Sequence, residues 1–351
     1  MVITIDGRKC EFTAGQTVYE VAKANGIHIP VLCHHEQIKP VGACRVCVVE
    51  VEKARSLVAS CAMPAEDGMV VHTSTPRVLS SRKLSVELLM TQGHHNCITC
   101  ESSGDCVLQD LAYSLGIESP RFDNPETYRK LEDANEMIVR DMNKCVLCGL
   151  CVRACNEVQV NQVLDYSGRG PTAAVGPAFG LTYENSDCVF CGECVRVCPV
   201  GALFEKQGRF QGRANDLEKV RTTCAYCGVG CQMDVNVKEN HIVKITTPRE
   251  GVPAPNYGSL CIKGRFGYDF VDHKDRLTKP MIRVDGELKE ATWDEAIAYV
   301  AEKLSTIRKE HGPDAVAGLS SARCTNEENY LFQKFFRAVI GTNNVDHCAR
   351  L

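Results

Sequence analysis

The sequence lacks the features that mark several large classes of protein. It has a single Trp (Trp293) and 6% aromatic residues, and its net charge of −4 provides no basic field for nucleic acid. Its apolar runs are far shorter than the roughly 20 residues of a membrane-spanning helix. The first residues, Met-Val-Ile-Thr-Ile-Asp-Gly, contain no export signal. We therefore expect a cytoplasmic protein that has no membrane span and does not bind nucleic acid.

Cysteine is the residue that the sequence has in excess. Of 22 cysteines, 19 fall into five tight groups, and Cys10, Cys324 and Cys348 stand outside them. Disulfides are disfavoured because cytosolic thiols stay reduced. Zinc competes with iron at any single Cys-x2-Cys pair, so the spacings must decide. We expect Cys10 and Cys324 to be small buried hydrophobic residues, and Cys348 has no assigned role.

Length and periodicity predict an α+β protein of several domains. A chain of 351 residues suits about two to four domains. Residues 1–78 alternate strand-like stretches with one helical stretch at 17–25, and residues 76–92 have the spaced apolar side chains of a helix. From residue 220 an α/β alternation begins, with a hairpin at 232–246, helices at 294–311 and 326–340, and a buried-type strand at 315–320.

The first cysteine group predicts a [2Fe–2S] centre. Its spacing is Cys-x10-Cys-x2-Cys-x13-Cys, so three thiolates lie on one loop and the fourth returns from elsewhere in the chain. Gly42 and Ala43 keep bulky side chains away from this loop, which leaves backbone N–H groups free to face the cluster sulfurs. On spacing alone, zinc remains an alternative. The candidate ligands are Cys33, Cys44, Cys47 and Cys61.

The second group has three cysteines and is one ligand short of a [4Fe–4S] cluster. Cys97, Cys100 and Cys106 follow closely after His94 and His95. An imidazole can supply the missing ligand, whereas a solvated histidine pair at a helix end is the simpler alternative. The incomplete cysteine set favours ligation by a histidine, and we favour His94 over His95.

The third and fourth groups are an internal repeat and carry the strongest signal. Each run has the spacing Cys-x2-Cys-x2-Cys-x3-Cys, and a Gly/Pro-rich insert at 167–180 separates the two runs. Two-cluster ferredoxins have this pattern, and the fourth cysteine of each run binds the other cluster. A zinc site does not require eight thiols in this order. The predicted [4Fe–4S] ligand sets are Cys145, Cys148, Cys151 and Cys198, and Cys188, Cys191, Cys194 and Cys155.

The fifth group predicts another [4Fe–4S] cluster. Cys224, Cys227, Cys231 and Cys261 are separated by 2, 3 and 29 residues. Taken alone this spacing also suits a zinc ribbon, but a chain that already carries ferredoxin runs favours iron and sulfide. Lys263 follows two residues after the last cysteine. It is either a solvated surface lysine or a contact to a negatively charged cofactor.

The order of these motifs resembles two families of electron-transfer proteins. Residues 33–198 are similar to the N-terminal half of the large iron–sulfur subunit of respiratory complex I, and equally to the N-terminal region of [FeFe]-hydrogenases. The resemblance implies a β-grasp [2Fe–2S] domain at 1–78, a His/Cys3 [4Fe–4S] domain at 79–118 and a two-[4Fe–4S] ferredoxin domain at 119–215. These families usually place three residues between the histidine and the first cysteine. Gly93 holds that position in this chain.

Residues 220–351 resemble the start of a molybdopterin oxidoreductase, and most closely a formate dehydrogenase catalytic subunit. The resemblance implies a [4Fe–4S] domain at 220–276 and the beginning of a bis-pterin-binding catalytic domain at 277–351. Lys263, in Cys-Ile-Lys-Gly-Arg-Phe, matches the lysine between cluster and pterin. The ending Gly341-Thr-Asn-Asn-Val-Asp-His-Cys-Ala-Arg-Leu351 is similar to the segment that leads to the metal-binding Cys or selenocysteine.

This resemblance implies that the catalytic ligand is the residue after Leu351. We therefore expect a chain cut short at a UGA codon for selenocysteine, with no catalytic residue within it. The longer parent would oxidise formate or reduce CO2 at molybdenum or tungsten held by bis-molybdopterin guanine dinucleotide. This chain by itself would not turn over formate.

The resemblance also implies an electron path and a partner. Electrons would pass singly through one [2Fe–2S] and four [4Fe–4S] clusters to a flavin-containing, NAD(P)-reducing iron–sulfur subunit, a hydrogenase subunit or a ferredoxin. A non-catalytic electron-transfer subunit and a zinc-stabilised scaffold are the two alternatives. An [FeFe]-hydrogenase is disfavoured because its catalytic cysteine motifs are absent from the sequence.

Overall fold

The structure is a computed structural model and describes residues 1–123, 128–249, 251 and 255–348. The stretch at 120–132, whose polar sequence suggests a connector, and the expected approach to the catalytic ligand at 341–351 therefore lie partly outside the described residues. Within these ranges, none of the helices combines the length and the hydropathy that a bilayer span requires.

The first domain is a mixed five-stranded sheet with one helix packed against it. Its elements are β1 (Val2–Ile5), β2 (Arg8–Glu11), α1 (Val18–Ala24), β3 (Val48–Val51), β4 (Val58–Ala59) and β5 (Val70–His72). The strand order is β2-β1-β5-β3-β4, with β1 parallel to β5 and the other pairs antiparallel. This arrangement confirms the predicted β-grasp fold.

Local signals in the sequence explain where these elements begin and turn. Asp6 and Gly7 have φ of 47° and 79°, the left-handed pair that a tight hairpin between β1 and β2 requires. Thr17 and Glu20 form a capping box at the start of α1, which satisfies two backbone N–H groups. Alternate residues of β1, Ile3 and Ile5, are fully buried in the core of this domain.

Two helices follow and carry the second cysteine group between them. These are α2 (Pro76–Met90) and α3 (Val107–Ser114). Thr75 accepts a hydrogen bond from the amide of Val78, and Pro76 occupies the first turn, where its missing N–H costs nothing. The predicted helix at 76–92 is confirmed. A buried arginine of α2, Arg82, donates to the Val48 carbonyl at 2.8 Å and joins this helix to the β-grasp sheet.

The repeat unit is closed by a short antiparallel pair, and its insert is a hairpin. Its elements are β6 (Ile138–Arg140), α4 (Leu150–Arg153), which continues as a π-helix over Ala154–Val158, β7 (Leu164–Ser167), β8 (Ala174–Pro177), α5 (Glu193–Val197) and β9 (Leu203–Glu205). β6 pairs with β9, and β7 with β8. Interpreting 167–180 as an insert missed this hairpin. Arg140 donates to the Val175 carbonyl at 2.5 Å, a tertiary contact that local sequence does not reveal.

The next unit is a three-stranded antiparallel sheet and a short helix. Its elements are β10 (Glu218–Thr223), β11 (Gln232–Lys238), β12 (His241–Thr246) and α6 (Ile262–Phe266), with strand order β10-β11-β12. Glu239 and Asn240 have φ of 50° and 65°, which confirms the predicted turn. α6 begins directly after Cys261, so the last cysteine of the fifth group lies at the entry to a helix.

The last described region begins an α/β arrangement. Its elements are β13 (Met281–Val284), β14 (Glu287–Glu290), α7 (Trp293–His311), β15 (Gly318–Ser321), α8 (Asn326–Lys334), which continues as a π-helix over Phe335–Ile340, and β16 (Val345–Cys348). β15 pairs with β16 in parallel. Both predicted helices are confirmed, and Thr292 and Glu295 form the capping box of α7.

One expectation about this region is wrong. We predicted a buried-type strand at 315–320, but β15 begins at Gly318, and the Leu319 side chain is 81% exposed. The described core here is small, with Val316, Phe336 and Ile340 as its buried hydrophobic residues. A short apolar stretch indicates what a strand can bury, whereas the elements packed over it decide what it does bury.

Candidate iron–sulfur centres

The first group forms a buried set of four thiols in the β-grasp domain. Cys33, Cys44 and Cys47 lie on the long connection between α1 and β3, and Cys61 follows β4. All four are less than 10% exposed. The Cys44 amide donates to Cys33 Sγ at 3.4 Å, and the Sγ atoms of Cys47 and Cys61 are 3.3 Å apart. The fold therefore returns the fourth cysteine to the other three.

Close contacts among these thiols favour the thiolate form in two of them. A hydrogen bond from Cys44 lowers the pKa of Cys33 to about 6, and one from Cys61 lowers the pKa of Cys47 to about 7. The pKa values of Cys44 and Cys61 rise correspondingly. The thiolate is the metal-binding form of cysteine, so this donor set suits an iron–sulfur centre. Gly42, with φ of 62°, would place a Cβ only 3.2 Å from that of Ala59.

The second group lines a cavity of about 450 Å³ between α2 and α3. Its wall includes Cys97, Cys100 and Cys106. His95 also lines this cavity, whereas His94 does not. The His94 ring lies 5.7 Å from that of Tyr128, and its amide donates to the Asn143 carbonyl at 2.6 Å. The structure therefore brings His95, and not the favoured His94, together with the three cysteines.

The resemblance implies a histidine at position 93, but this position is closed to any side chain here. A Cβ on Gly93 would lie 1.9 Å from the Asn143 carbonyl oxygen, so only glycine fits. Two residues later, burial lowers the pKa of His95, partly opposed by a hydrogen bond with the Leu89 carbonyl. That bond orients the ring as an outer-shell partner does at metal sites. The buried Nε2 atoms of both His94 and His95 have no hydrogen-bond partner among the described residues, so the lining of the cavity is what distinguishes His95.

The two ferredoxin runs exchange their fourth cysteines. Cys145, Cys148, Cys151 and Cys198 line one common cavity. Burial raises the pKa of Cys145 to about 11, with a further contribution from Cys198. Burial likewise raises the pKa of Cys188 to about 11, with contributions from Cys191 and Cys155. The last thiol of each run therefore lies near the first three thiols of the other run.

Backbone geometry directs amides toward the cysteines of both runs. Leu147 and Phe190 have φ of 50° and 49°, and their N–H groups each donate to the preceding cysteine, Cys145 or Cys188, at 3.4 Å. A non-glycine residue with positive φ is uncommon and marks a functional constraint. Hydrogen bonds to the sulfurs tune cluster potentials. The repeat thus directs one backbone amide toward a cysteine sulfur at the same position of each run.

The fifth group joins the loop between β10 and β11 to the start of α6, and none of its four cysteines is fully buried. The Cys224 amide donates to the Cys231 carbonyl at 2.8 Å, and Cys261 precedes α6. Burial raises the pKa of Cys224, with smaller contributions from Cys261 and Cys227. The four thiols are therefore neighbours. Lys263 lies on the exposed side of α6, two residues from Cys261.

The three cysteines outside these sets have different environments. Cys10 is buried in the β-grasp core, as predicted. The prediction for Cys324 is wrong, because it is exposed in the turn that leads from β15 to α8. Cys348 is exposed at the end of β16, and a hydrogen bond from Ser321 lowers its pKa.

The donor chemistry fits iron–sulfur clusters. Within the described ranges, no three His, Cys, Asp or Glu side chains converge closely enough to hold a single metal ion. A cluster binds its thiolates at separate iron atoms and so does not need one shared point. Sequence reasoning missed arginines beside the ligands, notably the half-buried Arg153 and the buried Arg265. An arginine two residues after the third cysteine of both runs, Arg153 and Arg196, was the available signal.

Five family models match the chain in succession. Their descriptions and matched residues are a 2Fe-2S iron-sulfur cluster binding domain (1–76), the NADH-ubiquinone oxidoreductase-G iron-sulfur binding region (82–121), a 4Fe-4S dicluster domain (144–202), the molybdopterin oxidoreductase Fe4S4 domain (217–273) and molybdopterin oxidoreductase (276–351).

Related proteins cover nearly the whole chain. The G 2 subunit of the NADH-quinone oxidoreductase of Rhizobium meliloti (strain 1021) is 37% identical, covering 99% of this chain and 40% of the relative. A Bacillus subtilis (strain 168) protein, named provisionally as the formate dehydrogenase YrhE, is 35% identical with 99% and 39% covered. The chain thus spans about 40% of the length of these relatives.

A solved structure supports the same relationship. A chain of an NAD+-reducing [NiFe]-hydrogenase in its H2-reduced state is 36% identical, with a TM-score of 0.57, and the match covers 60% of this chain and 89% of that one. The chain therefore belongs to the family of iron–sulfur proteins that resemble the G-type component of complex I, and it continues into the start of a molybdopterin oxidoreductase domain.

Proposed function

We propose that this chain carries electrons between a molybdopterin centre and a partner redox protein through one [2Fe–2S] and four [4Fe–4S] clusters. The observation that carries the proposal is the exchange of Cys155 and Cys198 between the two cysteine runs. That exchange is the arrangement of two-cluster ferredoxins, whose function is one-electron transfer.

The proposed ligand sets follow the five groups, with His95 in place of His94. The [2Fe–2S] set is Cys33, Cys44, Cys47 and Cys61, and the His/Cys3 set is His95, Cys97, Cys100 and Cys106. The three remaining sets are Cys145, Cys148, Cys151 and Cys198; Cys188, Cys191, Cys194 and Cys155; and Cys224, Cys227, Cys231 and Cys261. The proposed domain boundaries remain those of the sequence, at 1–78, 79–118, 119–215, 220–276 and 277–351.

The protein's own residues prepare these sites for electron transfer. Iron–sulfur clusters supply one-electron chemistry when they are bound. Buried thiols such as Cys148, Cys151 and Cys194 exclude water, because each lies below 10% exposure. The amides of Leu147 and Phe190 stabilise negative charge on the neighbouring sulfurs, since hydrogen bonds to an anionic acceptor are the stronger ones. The exposure of Lys263, two residues after Cys261, supports its proposed contact with a negatively charged pterin.

For the longer protein we propose formate oxidation, in which formate yields CO2, a proton and two electrons. The segment 341–348 with its formate-dehydrogenase-like sequence supports this proposal, as does the relative named as a formate dehydrogenase. The metal would be molybdenum or tungsten in a bis-molybdopterin guanine dinucleotide, with its protein ligand after Leu351. We place the protein in the cytoplasm.

The proposed partner is an NAD(P)-reducing iron–sulfur flavoprotein or a hydrogenase subunit. The names of three similar proteins support it: an NADH-quinone oxidoreductase component, the alpha subunit of an NADPH-Fe(3+) oxidoreductase and an NAD+-reducing hydrogenase. The 37% identity to the NADH-quinone oxidoreductase component favours a second candidate, a non-catalytic electron-transfer subunit.

Metal analysis of the purified chain tests the proposed electron-transfer function. We expect about 18 iron atoms per chain, the sum for one [2Fe–2S] and four [4Fe–4S] clusters, with little zinc. Electron paramagnetic resonance (EPR) after dithionite reduction should show both cluster types. Stoichiometric zinc with little iron and no EPR signal would refute the proposal.

Analysis of the native protein separates the two candidate functions. A formate dehydrogenase should contain molybdenum or tungsten with pterin, and should reduce a viologen dye when formate is added. A protein that has the expected iron but neither pterin nor formate-dependent dye reduction would be the non-catalytic subunit instead.

A further inference from the structure

One arginine joins the first cysteine group to the ferredoxin unit. Arg153, at the end of α4, donates through Nη2 to the carbonyl of Cys33 at 2.9 Å and to that of Cys148 at 3.3 Å. Its Nη1 donates to the Lys39 carbonyl at 2.6 Å, and its Nε to the Gly149 carbonyl at 3.3 Å. A single guanidinium therefore holds backbone next to one proposed ligand of each cluster.

The charge of Arg153 lies within hydrogen-bond distance of the backbone of both sites. It acts on the Cys33 thiol as a nearby positive charge, and Cys33 in turn is close enough to act on Cys148. Among the described residues no ion pair includes Arg153, and the groups that its guanidinium contacts there are neutral carbonyls. A positive charge thus contacts the backbone of both proposed ligand sets, each of whose clusters would gain a negative charge on reduction, and the nearby Glu157 carboxylate accepts from the Lys39 amide rather than from Arg153.

The planar fork of arginine explains why this residue type suits the position. Five N–H donors in fixed directions can hold several carbonyls at once, whereas a lysine ammonium is a compact point charge. The same device recurs at a second boundary, where Arg249 Nη2 donates to the Cys198 carbonyl at 3.1 Å and to the Asp105 carbonyl at 3.3 Å. Asp105 directly precedes Cys106.

We propose that Arg153 is a positioning residue for electron transfer between the [2Fe–2S] centre and the [4Fe–4S] cluster of Cys148. Its guanidinium sets the approach of the two ligand segments, and its charge raises the reduction potential of both clusters. The proposal rests on the proposed cluster assignments. It predicts that one charge, that of Arg153, affects the reduction potentials of both clusters.

Two other arginines offer matched controls, because each is near only one of the two sites. Arg82 is buried, contacts the Val48 carbonyl and is influenced by Cys47, a [2Fe–2S] ligand. Arg129 acts on Cys145, a ligand of the [4Fe–4S] cluster. We expect Arg82→Gln to shift only the [2Fe–2S] potential and Arg129→Gln only the [4Fe–4S] potential.

The test is an anaerobic redox titration of the purified chain followed by EPR. We expect Arg153→Gln to lower the reduction equilibrium constant of both clusters about tenfold, which is about 59 mV for a one-electron couple. Arg153→Lys retains the charge, so both equilibrium constants should stay within about threefold of the wild type. A shift in one cluster only, or in neither, would overturn the proposal.

The effect of each substitution on cluster assembly must be measured separately from its effect on the reduction potentials. Iron and sulfide are therefore measured first, and wild-type protein without the expected clusters would refute the assignments rather than the role of Arg153. If Arg153→Gln fails to assemble its clusters, Arg153→Lys becomes the test of the proposal. Reduction potentials like those of the wild type, together with an altered spin–spin broadening between the two reduced clusters, would support the positioning role. Potentials that fall tenfold despite the retained charge would show a purely structural role.

Discussion

The two cysteine runs of the ferredoxin unit share one backbone design. The glycine after the second cysteine is left-handed in both, with φ of 71° at Gly149 and 70° at Gly192. A short helix begins after each glycine and carries the third cysteine. Identical spacing therefore produces nearly identical local structure, because glycines and cysteines at the same positions impose the same turn.

The runs differ at one position that changes the contacts of the repeated arginine. The residue before the third cysteine is Leu150 in the first run and Glu193 in the second. Arg196 donates through Nε to Glu193 at 2.7 Å, and both side chains are about 1% exposed. Arg153, three residues after a leucine, lacks this carboxylate and donates to neutral carbonyls, including that of Cys33. Both arginines reach the first domain, since Arg196 also donates to Gln37 Oε1 at 2.6 Å. One side chain at i,i+3 thus decides whether the repeated arginine has a carboxylate partner on its own helix.

The largest predicted effect tests the exchange of cysteines between the runs. Cys151→Ala and Cys198→Ala should each remove the same [4Fe–4S] cluster, or about four iron atoms per chain. The double variant Cys151→Ala/Cys198→Ala should therefore also lose about four. Cys151→Ala/Cys155→Ala should lose about eight, because its two cysteines serve different clusters. Iron analysis that gives the reverse pattern would mean that each run binds its own cluster.

The next prediction breaks the buried ion pair of the second run. Glu193→Gln leaves Arg196 buried without an ionic partner, and we expect a loss of about 3–5 kcal/mol in the free energy of unfolding. Replacing both partners, as Glu193→Leu/Arg196→Met, should recover most of that loss. At the matching position of the first run, Leu150→Met should cost less than about 1.5 kcal/mol. Anaerobic denaturant unfolding followed by cluster absorbance measures all three.

A buried carboxyl near the second run should make stability depend on pH. Burial raises the pKa of Glu205 to about 7, although Tyr268, Arg265 and Lys244 each favour its ionised form. The folded state therefore binds this proton more tightly than the unfolded chain, whose glutamate has a pKa near 4.5. The stability that protonation provides is complete below about pH 4.5 and is lost as the pH rises through about 7.

The magnitude of this loss is about 3 kcal/mol, from 1.36 kcal/mol for each pH unit between the two pKa values. Glu205→Gln cannot titrate and should lack this component. The measurement is the difference in unfolding free energy between the wild type and Glu205→Gln at several pH values from 4.5 to 8. Parallel curves for the two proteins would contradict the assignment.

The smallest predicted effect compares the two left-handed glycines. Alanine at either position should cost about 1–2 kcal/mol for the left-handed backbone. A Cβ would lie 2.1 Å from Tyr166 Oη at Gly149, and 2.1 Å from Arg265 Cδ at Gly192. Tyr166 is half exposed and can move, whereas Arg265 is buried. Gly192→Ala should therefore cost about 1–3 kcal/mol more than Gly149→Ala, and equal unfolding free energies would be evidence against this.

Much of the fold could be predicted from local signals in the sequence. The Thr17 and Thr292 capping boxes mark the starts of two helices, and the turn at Glu239 and Asn240 marks a hairpin. These signals act within a few residues, so they do not depend on the rest of the molecule. The β7–β8 hairpin was missed because its stabilising contact comes from Arg140, which is far away in sequence.

The sequence by itself was enough to predict which thiols belong together. Cysteine spacing is a constraint of chain geometry, and the repeat alone specified the exchange of Cys155 and Cys198. The exposure of Cys324 depended on packing and was predicted wrongly.

Only the tertiary structure decided which histidine faces the second group and which arginine links two centres. His95 reaches the cavity because Gly93 packs against the Asn143 carbonyl, and Arg153 reaches Cys33 because the β-grasp domain lies against α4. Both outcomes depend on backbone groups contributed by distant segments. Carbonyl groups are present at every residue and leave no pattern in a sequence, so these contacts become visible only once the chain is folded.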